Sequence, residues 1–209
     1  MSKIPEIKPI YGAELRVARL QERGIAGGYL HLVEQEVDAA YVSTIEEGVV
    51  PGLLQTDAYA LNSIAEGRFS EDKTLILARV RAGRREDMKS RGAKIVHLMG
   101  ERALYRQVGG LDVLAEQLDV LKEVAEQGNL HVVPVESAVS LGGVVLLDAS
   151  DRPGTITAYT EDLLGNMRVL TDPAEVGRVE EHYAEVQAAA LGQEETVNAI
   201  RNAQRQLII

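Results

Sequence analysis

The sequence predicts an α+β fold, with a mixed sheet of about four or five strands packed against amphipathic helices and a helical N-terminal third. Three observations predict it. Up to Gly92 the apolar residues recur at three and four, as on one helix face. Beyond Gly92 they gather in short runs bounded by turns. The resulting order, helices first and then β-α-β-β-β-α-α, lacks the alternation of a doubly wound fold.

In chain order, YGAELRVARLQE (Tyr11 to Glu22) predicts a helix with Leu15, Ala18 and Leu20 inward, broken by RGIAGG. A second helix is expected from Tyr29 through YLHLVEQEVDAA, burying Leu30, Val33 and Val37. STIEEGVVPGLLQT reads as mixed extended and turn structure. Pro51 biases Val50 away from helix, so the next helix starts after it, at Leu53 or at a Thr56 or Asp57 cap, and ends near Ala65. Another follows Ser70, burying Leu75, Ile76 and Val80 and exposing its arginines. AKIVHLMG is the first expected strand. LDVLAEQLDVLKEVAEQG is a strong amphipathic helix with Leu111, Leu114, Leu118, Leu121 and Ala125 in register, stopped by Gly128. NLHVVPV is the second strand, GGVVLLDAS and TITAYTEDL form a hairpin around DRPG, and MRVLTD adds a short strand. Two helices close the chain, one from Asp172 or Pro173 and one from about Gln193. The helix between the first two strands implies a parallel pair, and the hairpin an antiparallel one. The expected division is an N-terminal helical extension over 1–28 and a domain over 29–209, helical to residue 92 and α+β from 93.

Composition narrows the function. With 209 residues, 45% of them hydrophobic, the chain can bury a core without staples. It contains no cysteine, which excludes disulfides and thiolate metal sites. No apolar stretch approaches the roughly 20 residues of a membrane span, and MSKIPEIKPIYG has no apolar signal core, so a cytoplasmic location is expected. A formal charge of −10 opposes attraction of the whole protein to nucleic acid. That charge is unevenly spread. Arg68 to Arg106 holds eleven Lys or Arg against five Asp or Glu, whereas Leu111 to Glu195 holds four against seventeen. The basic stretch reads first as a solvated helix face and second as a surface for anions, RNA or an acidic partner. With 4% aromatic residues, one Phe and no Trp, stacking platforms for single strands are scarce.

PGLLQT followed by Tyr59 and Ala60, then GERAL (100–104), QVGG (107–110), Gln117, Leu118 and Leu121, and NLHVVPV (129–135) together resemble a known family. It is the C-terminal domain of unknown function that follows the helix-turn-helix in actinobacterial antitoxin-like (XRE-type) transcriptional regulators. The likeness runs from about residue 29 to 205. YGAELRVARLQERGIAGG supplies one helix at most, so a DNA reader, which needs a bundle of short helices, is not expected here. After NLHVVPV this chain has ESAVSLGGVVLLD, where the family tends to carry a histidine-proline-glycine element and an aromatic-bearing strand. This departure implies that whatever the family binds at that loop is not expected to carry over to this chain.

None of His31, His97, His131 and His182 has helical metal-pair spacing, and neither metal nor cofactor is expected. His97 and His131 fall on strands that are candidates for neighbours. Strand alternation puts Ile95, His97 and Met99 on one face. Either imidazole can be a satisfied core group or a general base. Thr155, Thr157, Tyr159 and Glu161 alternate, giving one strand face a row of hydroxyls ending in a carboxylate, with Glu101 or Glu136 as partners if that face lines a cleft. Tyr159 and Glu161 also match the family's tyrosine-x-glutamate pattern. Val108-Gly109-Gly110 before a helix reads as a turn, and more weakly as an anion site.

The candidate catalytic set is therefore His97, Glu101, Tyr159 and Glu161, and the candidate ligand-binding set Gln55, Tyr59, His131 and Thr157. Two functions follow. One is a ligand- or partner-binding module related to antitoxin-like regulators that does not itself bind DNA. The other is a cofactor-independent isomerase, cyclase or dehydratase that orients an apolar small molecule in a dry pocket, as in natural-product biosynthesis. The expected partner is a small-molecule ligand or substrate; a small protein and a second copy of the chain are further candidates, and neither DNA nor a membrane is expected.

Overall fold

The computed structural model describes residues 7–9, 25, 27–67, 69–149, 154–162 and 166–207. Six helices and six strands follow one another in the described chain. They are α1 (Gly27–Glu36), β1 (Ala39–Glu46), α2 (Asp57–Glu66), α3 (Glu71–Arg91), β2 (Lys94–Gly100), α4 (Leu111–Glu126), β3 (Leu130–Val133), β4 (Val144–Ala149), β5 (Ile156–Glu161), β6 (Met167–Leu170), α5 (Pro173–Ala189) and α6 (Gln193–Gln206). Short 3₁₀ turns at Gly52–Leu54 and Glu101–Leu104 follow β1 and β2.

The helix boundaries obey their caps. Thr56 opens α2 by accepting the Tyr59 N–H, Ser70 opens α3 by accepting that of Lys73, and Asp172 precedes Pro173 at α5. Gly92, at φ +66°, ends α3 in the left-handed conformation.

The strands form one mixed sheet in the order β3-β2-β1-β4-β5-β6. β1, β2 and β3 are parallel; β4 runs antiparallel to β1 and continues into the β4-β5-β6 meander. One face carries Val42, Leu147 and Tyr159 under α1, α3 and the 3₁₀ turn, through Leu32, Met88 and Leu53. The other carries Ile45, Val144 and Ala158 against Val176 and Val186 of α5. The outer edge of β3 is closed, since Val132 accepts from the Leu191 N–H at 2.8 Å and donates to Thr196 Oγ1 at 3.1 Å.

The α+β class and mixed sheet agree with the sequence reading; the strand number does not. Six strands form because Ala39–Glu46, read as a helix tail followed by mixed extended and turn structure, is an inner strand between β2 and β4. A strand covered on both faces has no clean polar alternation to announce it. The helix before it stops at Glu36, leaving Val37 45% exposed instead of buried. Leu111, expected inside, is 49% exposed at the first turn of α4. The expected Tyr11–Glu22 helix lies outside the described residues.

The glycine pair before α4 is structural. Gly109 and Gly110 have φ of +74° and +102°, and a Cβ on Gly109 would lie 2.6 Å from the Asn62 carboxamide. Gly109→Ala should therefore lower stability by about 1–3 kcal/mol. A urea midpoint unchanged from wild type would disprove the strain.

Candidate functional site

The PGLLQT segment is a latch between the first three helices and the rest of the fold. Gln55 donates to the Val50 carbonyl at 2.8 Å, and its side-chain oxygen accepts from Arg81 Nη1. Its backbone carbonyl accepts from Arg85, which also pairs with Asp57 at 2.9 Å. Gln117, wholly buried on α4, accepts the Thr56 N–H at 2.7 Å and donates to the Leu54 carbonyl at 2.8 Å. Gly52 packs closely on the same contact: a Cβ there would sit 3.3 Å from Arg81 Nε, so the guanidinium would have to shift slightly to admit one.

These bonds correct the reading of α3 as a helix that exposes its arginines. Arg84 is 8% exposed and ion-paired to Glu36, and Arg81 and Arg85 grip the latch. Arg91 bonds Asp87 and the carbonyls of Glu36 and Ala39. Much of the basic stretch is spent on holding the chain together.

Arg81 also faces the ends of two strands. The pairs Ile45↔Val144 and Val144↔Thr160 continue to a row of Glu46, Gly143 and Glu161, with the Glu161 N–H on the Gly143 carbonyl at 3.0 Å. A Cβ on Gly143 would lie 3.0 Å from Glu161 Cβ and 3.5 Å from its Oε2, so the glycine lets the Glu161 side chain lie across β4. Glu46, Glu161 and Arg81 thus meet at one end of the sheet. Burial and the neighbouring Glu161 push the Glu46 carboxyl up to about 8, against the pull of Arg81. Burial raises Glu161 as well, Arg81 opposing and Asp162 adding. Arg81 is lowered by burial, and its Nε has no hydrogen-bond partner. Among the described residues Glu46 makes no side-chain hydrogen bond and Arg81 no ion pair. Glu46 is enclosed by protein yet keeps part of its surface open, as a side chain lining a crevice does. Glu161 and Gly143 also border a cavity of about 410 Å³ between the β4-β5-β6 meander and α5.

The sequence-predicted residues divide around this site. Glu161 belongs to it. His97 lies on the same sheet face, its Nδ1 2.7 Å from Thr44 Oγ1, but is sealed in at 1% exposed, and burial lowers it to about 3. Tyr159 is fully buried with its hydroxyl 2.8 Å from His31 Nδ1, and burial, then Glu36, raise it. Thr157 lies opposite Leu147, further along the same face. Gln55 and Tyr59 are buried parts of the latch, the Tyr59 hydroxyl accepting from the Val50 N–H at 3.4 Å. His131 is on the neighbouring strand, as expected, but on the opposite face from His97, with Nδ1 3.1 Å from the Leu191 carbonyl. Glu101 accepts from the Val135 N–H at 3.1 Å, in a separate cavity of about 210 Å³. Glu46 and Arg81 were missed. Arg81 carried a signal, an arginine on the apolar side of α3, whereas Glu46 carried none while β1 went unread.

The match to a family model spans residues 29–202, from the third residue of α1 into α6, and covers the latch, the strand ends and the cavity alike. The chain belongs to DUF5753. This family is described as a domain of unknown function. No curated protein matches the chain. Among the described residues of this DUF5753 domain, no group of three or more His, Asp or Glu side chains is placed to hold a metal ion. No described helix is long and apolar enough to cross a membrane.

Proposed function

We propose that this DUF5753 domain is a cytoplasmic binding module for a small polar molecule, taken up at the crevice of Glu46, Arg81 and Glu161 and the adjoining cavity, and that it does not itself bind DNA. One observation carries the reading: three ionisable groups converge on the sheet end without bonding one another, leaving hydrogen-bonding capacity that a ligand can satisfy. The internal use of the α3 arginines and the charge of −10 support the exclusion of DNA.

A second reading is favoured by the Glu46 carboxyl, whose value of about 8 suits general acid–base work at neutral pH. It makes the domain a cofactor-independent isomerase, cyclase or dehydratase, with Glu46 moving the proton and Glu161 beside it. A ligand-observed NMR screen of small polar metabolites tests both readings. Saturable hits that carry a hydrogen-bond donor should lose about tenfold in affinity, or 1.4 kcal/mol, in Glu161→Gln. Donor-bearing hits that are all indifferent to that change, or no hit of any kind, would reject the crevice. Conversion of a hit, abolished by Glu46→Gln, would establish the enzyme.

A further inference from the structure

The 410 Å³ cavity lies in the acidic half of the chain, yet its lining carries two arginines, Arg168 of β6 and Arg178 of α5, beside Glu161 and Glu175. Leu111 to Glu195 contains four Lys or Arg, Lys122, Arg152, Arg168 and Arg178, and two of them line this one cavity. Arg168 is balanced by Glu175 at 2.8 Å. Arg178 has no hydrogen bond or ion pair among the described residues. His182, one turn further along α5, has only Glu185 at 3.9 Å, itself 73% exposed. Two potential cations at i and i+4 repel when both are charged, so the helix gains nothing by facing them together. An anion between them reverses the sign of that contribution. Thr160, also on the lining, supplies a hydroxyl, and the Glu161 carboxyl closes the cavity.

We propose that the cavity is an anion subsite: it takes a small organic molecule through a carboxylate or phosphate monoester held by Arg178, with His182 and Thr160 beside it. This rests on the binding reading above and gives it a direction. The anionic end lies on α5, and the part nearest Glu161 carries a donor, which a carboxyl oxygen there accepts. Arg178 suits either anion, because its planar guanidinium can pair with both in bidentate fashion.

The test titrates the full chain with hexanoate, hexyl phosphate, inorganic phosphate and, as a control of sign, hexylammonium, following the side-chain N–H signals of Arg178 and the ring signals of His182 by NMR. At least one hexyl anion should shift them saturably and hexylammonium should not. Binding by hexanoate or by hexyl phosphate distinguishes a carboxylate from a phosphate ligand, and inorganic phosphate reports how much of the affinity needs the alkyl body. Arg178→Gln should weaken the anions about tenfold or more; Glu181→Gln, an exposed change on the same helix, should not. Glu161→Gln should leave the hexyl anions unchanged or tighter, which separates the two proposals. Neutral ligands sensitive to Glu161→Gln, with no anion bound, would overturn the anion subsite and leave the binding reading standing. Equal affinity for hexylammonium, or anion binding indifferent to Arg178→Gln, overturns the subsite as well.

Discussion

Glu36→Ala is expected to lower the stability of the domain by about 3–5 kcal/mol, the usual effect of stranding one member of a buried ion pair. Glu36, at the end of α1, is 3% exposed and receives two bonds from Arg84, from Nε and Nη2. Arg84 also donates to the Tyr29 hydroxyl at 3.0 Å, with its guanidinium 5.3 Å from the centre of that ring. Burial on its own would lower the Arg84 pKa, but Glu36 and Tyr29 outweigh it and hold the group above its ordinary value. Without Glu36 the guanidinium stays charged and buried, with a phenol as its remaining partner. The double change Glu36→Leu with Arg84→Met removes both charges and should recover most of the loss, since apolar groups of similar size often replace such pairs at little cost. Urea unfolding of the three variants against wild type measures this. A Glu36→Ala domain within about 1 kcal/mol of wild type would show that water reaches the pair and that the clamp is weak. The result bears on the site too, because Arg81 lies one turn before Arg84 on the helix that this clamp holds over the sheet.

What could be read in the sequence was what repeats with a period or sits at a cap. Thr56, Ser70 and Asp172 announced their helices, and the hairpin of β4 and β5 followed from two apolar runs around a turn. The tyrosine-x-glutamate alternation correctly placed Tyr159 and Glu161 on one sheet face. What could not be read depends on contacts between distant segments. β1 has Ala, Ser and Thr where an isolated strand would show branched apolar residues, and its place inside the sheet is set by partners more than 50 residues away in the chain. Without β1 there was no reason to single out Glu46. The arginines of α3 failed for a related reason: charge predicts exposure unless a partner is known, and Glu36, Gln55 and Asp57 became partners only through the fold. His97 and His131 were correctly placed on neighbouring strands, and alternation then sent them to opposite faces, because His131 pairs across from Leu98 and His97 from Leu130.

Stability should be highest over a plateau between about pH 4.5 and 6.5 and fall on both sides, from two buried groups acting in opposite directions. His97 is held neutral by burial, at about 3 in the fold against an ordinary 6.5. Between those values the unfolded chain binds a proton that the fold refuses, so the His97 contribution is complete above 6.5 and is lost as pH falls towards 3. Glu46 is shifted the other way, from 4.5 to about 8. Between those values the fold holds a proton that the unfolded chain has released, so its contribution is complete below 4.5 and is lost as pH rises through 8. Where the windows overlap the slopes cancel; outside the overlap each approaches about 1.4 kcal/mol per pH unit. Glu161, raised in the same sense as Glu46, adds a downward tilt with rising pH that begins at about pH 4.5. Glu46→Gln removes the titration at similar size, so it should stabilise the domain at pH 8, with an upper bound of roughly 5 kcal/mol reduced by solvent reaching the crevice. At pH 4 it should be near neutral. His97→Asn, which keeps a polar side chain beside Thr44, should flatten the acid side and leave the alkaline side unchanged. Chemical denaturation from pH 4 to pH 9 reads both slopes. A Glu46→Gln domain less stable than wild type at pH 8 would mean that the Glu46 carboxylate is ionised and stabilised there by Arg81, which would remove the acid–base reading and leave the site a fixed charge for binding.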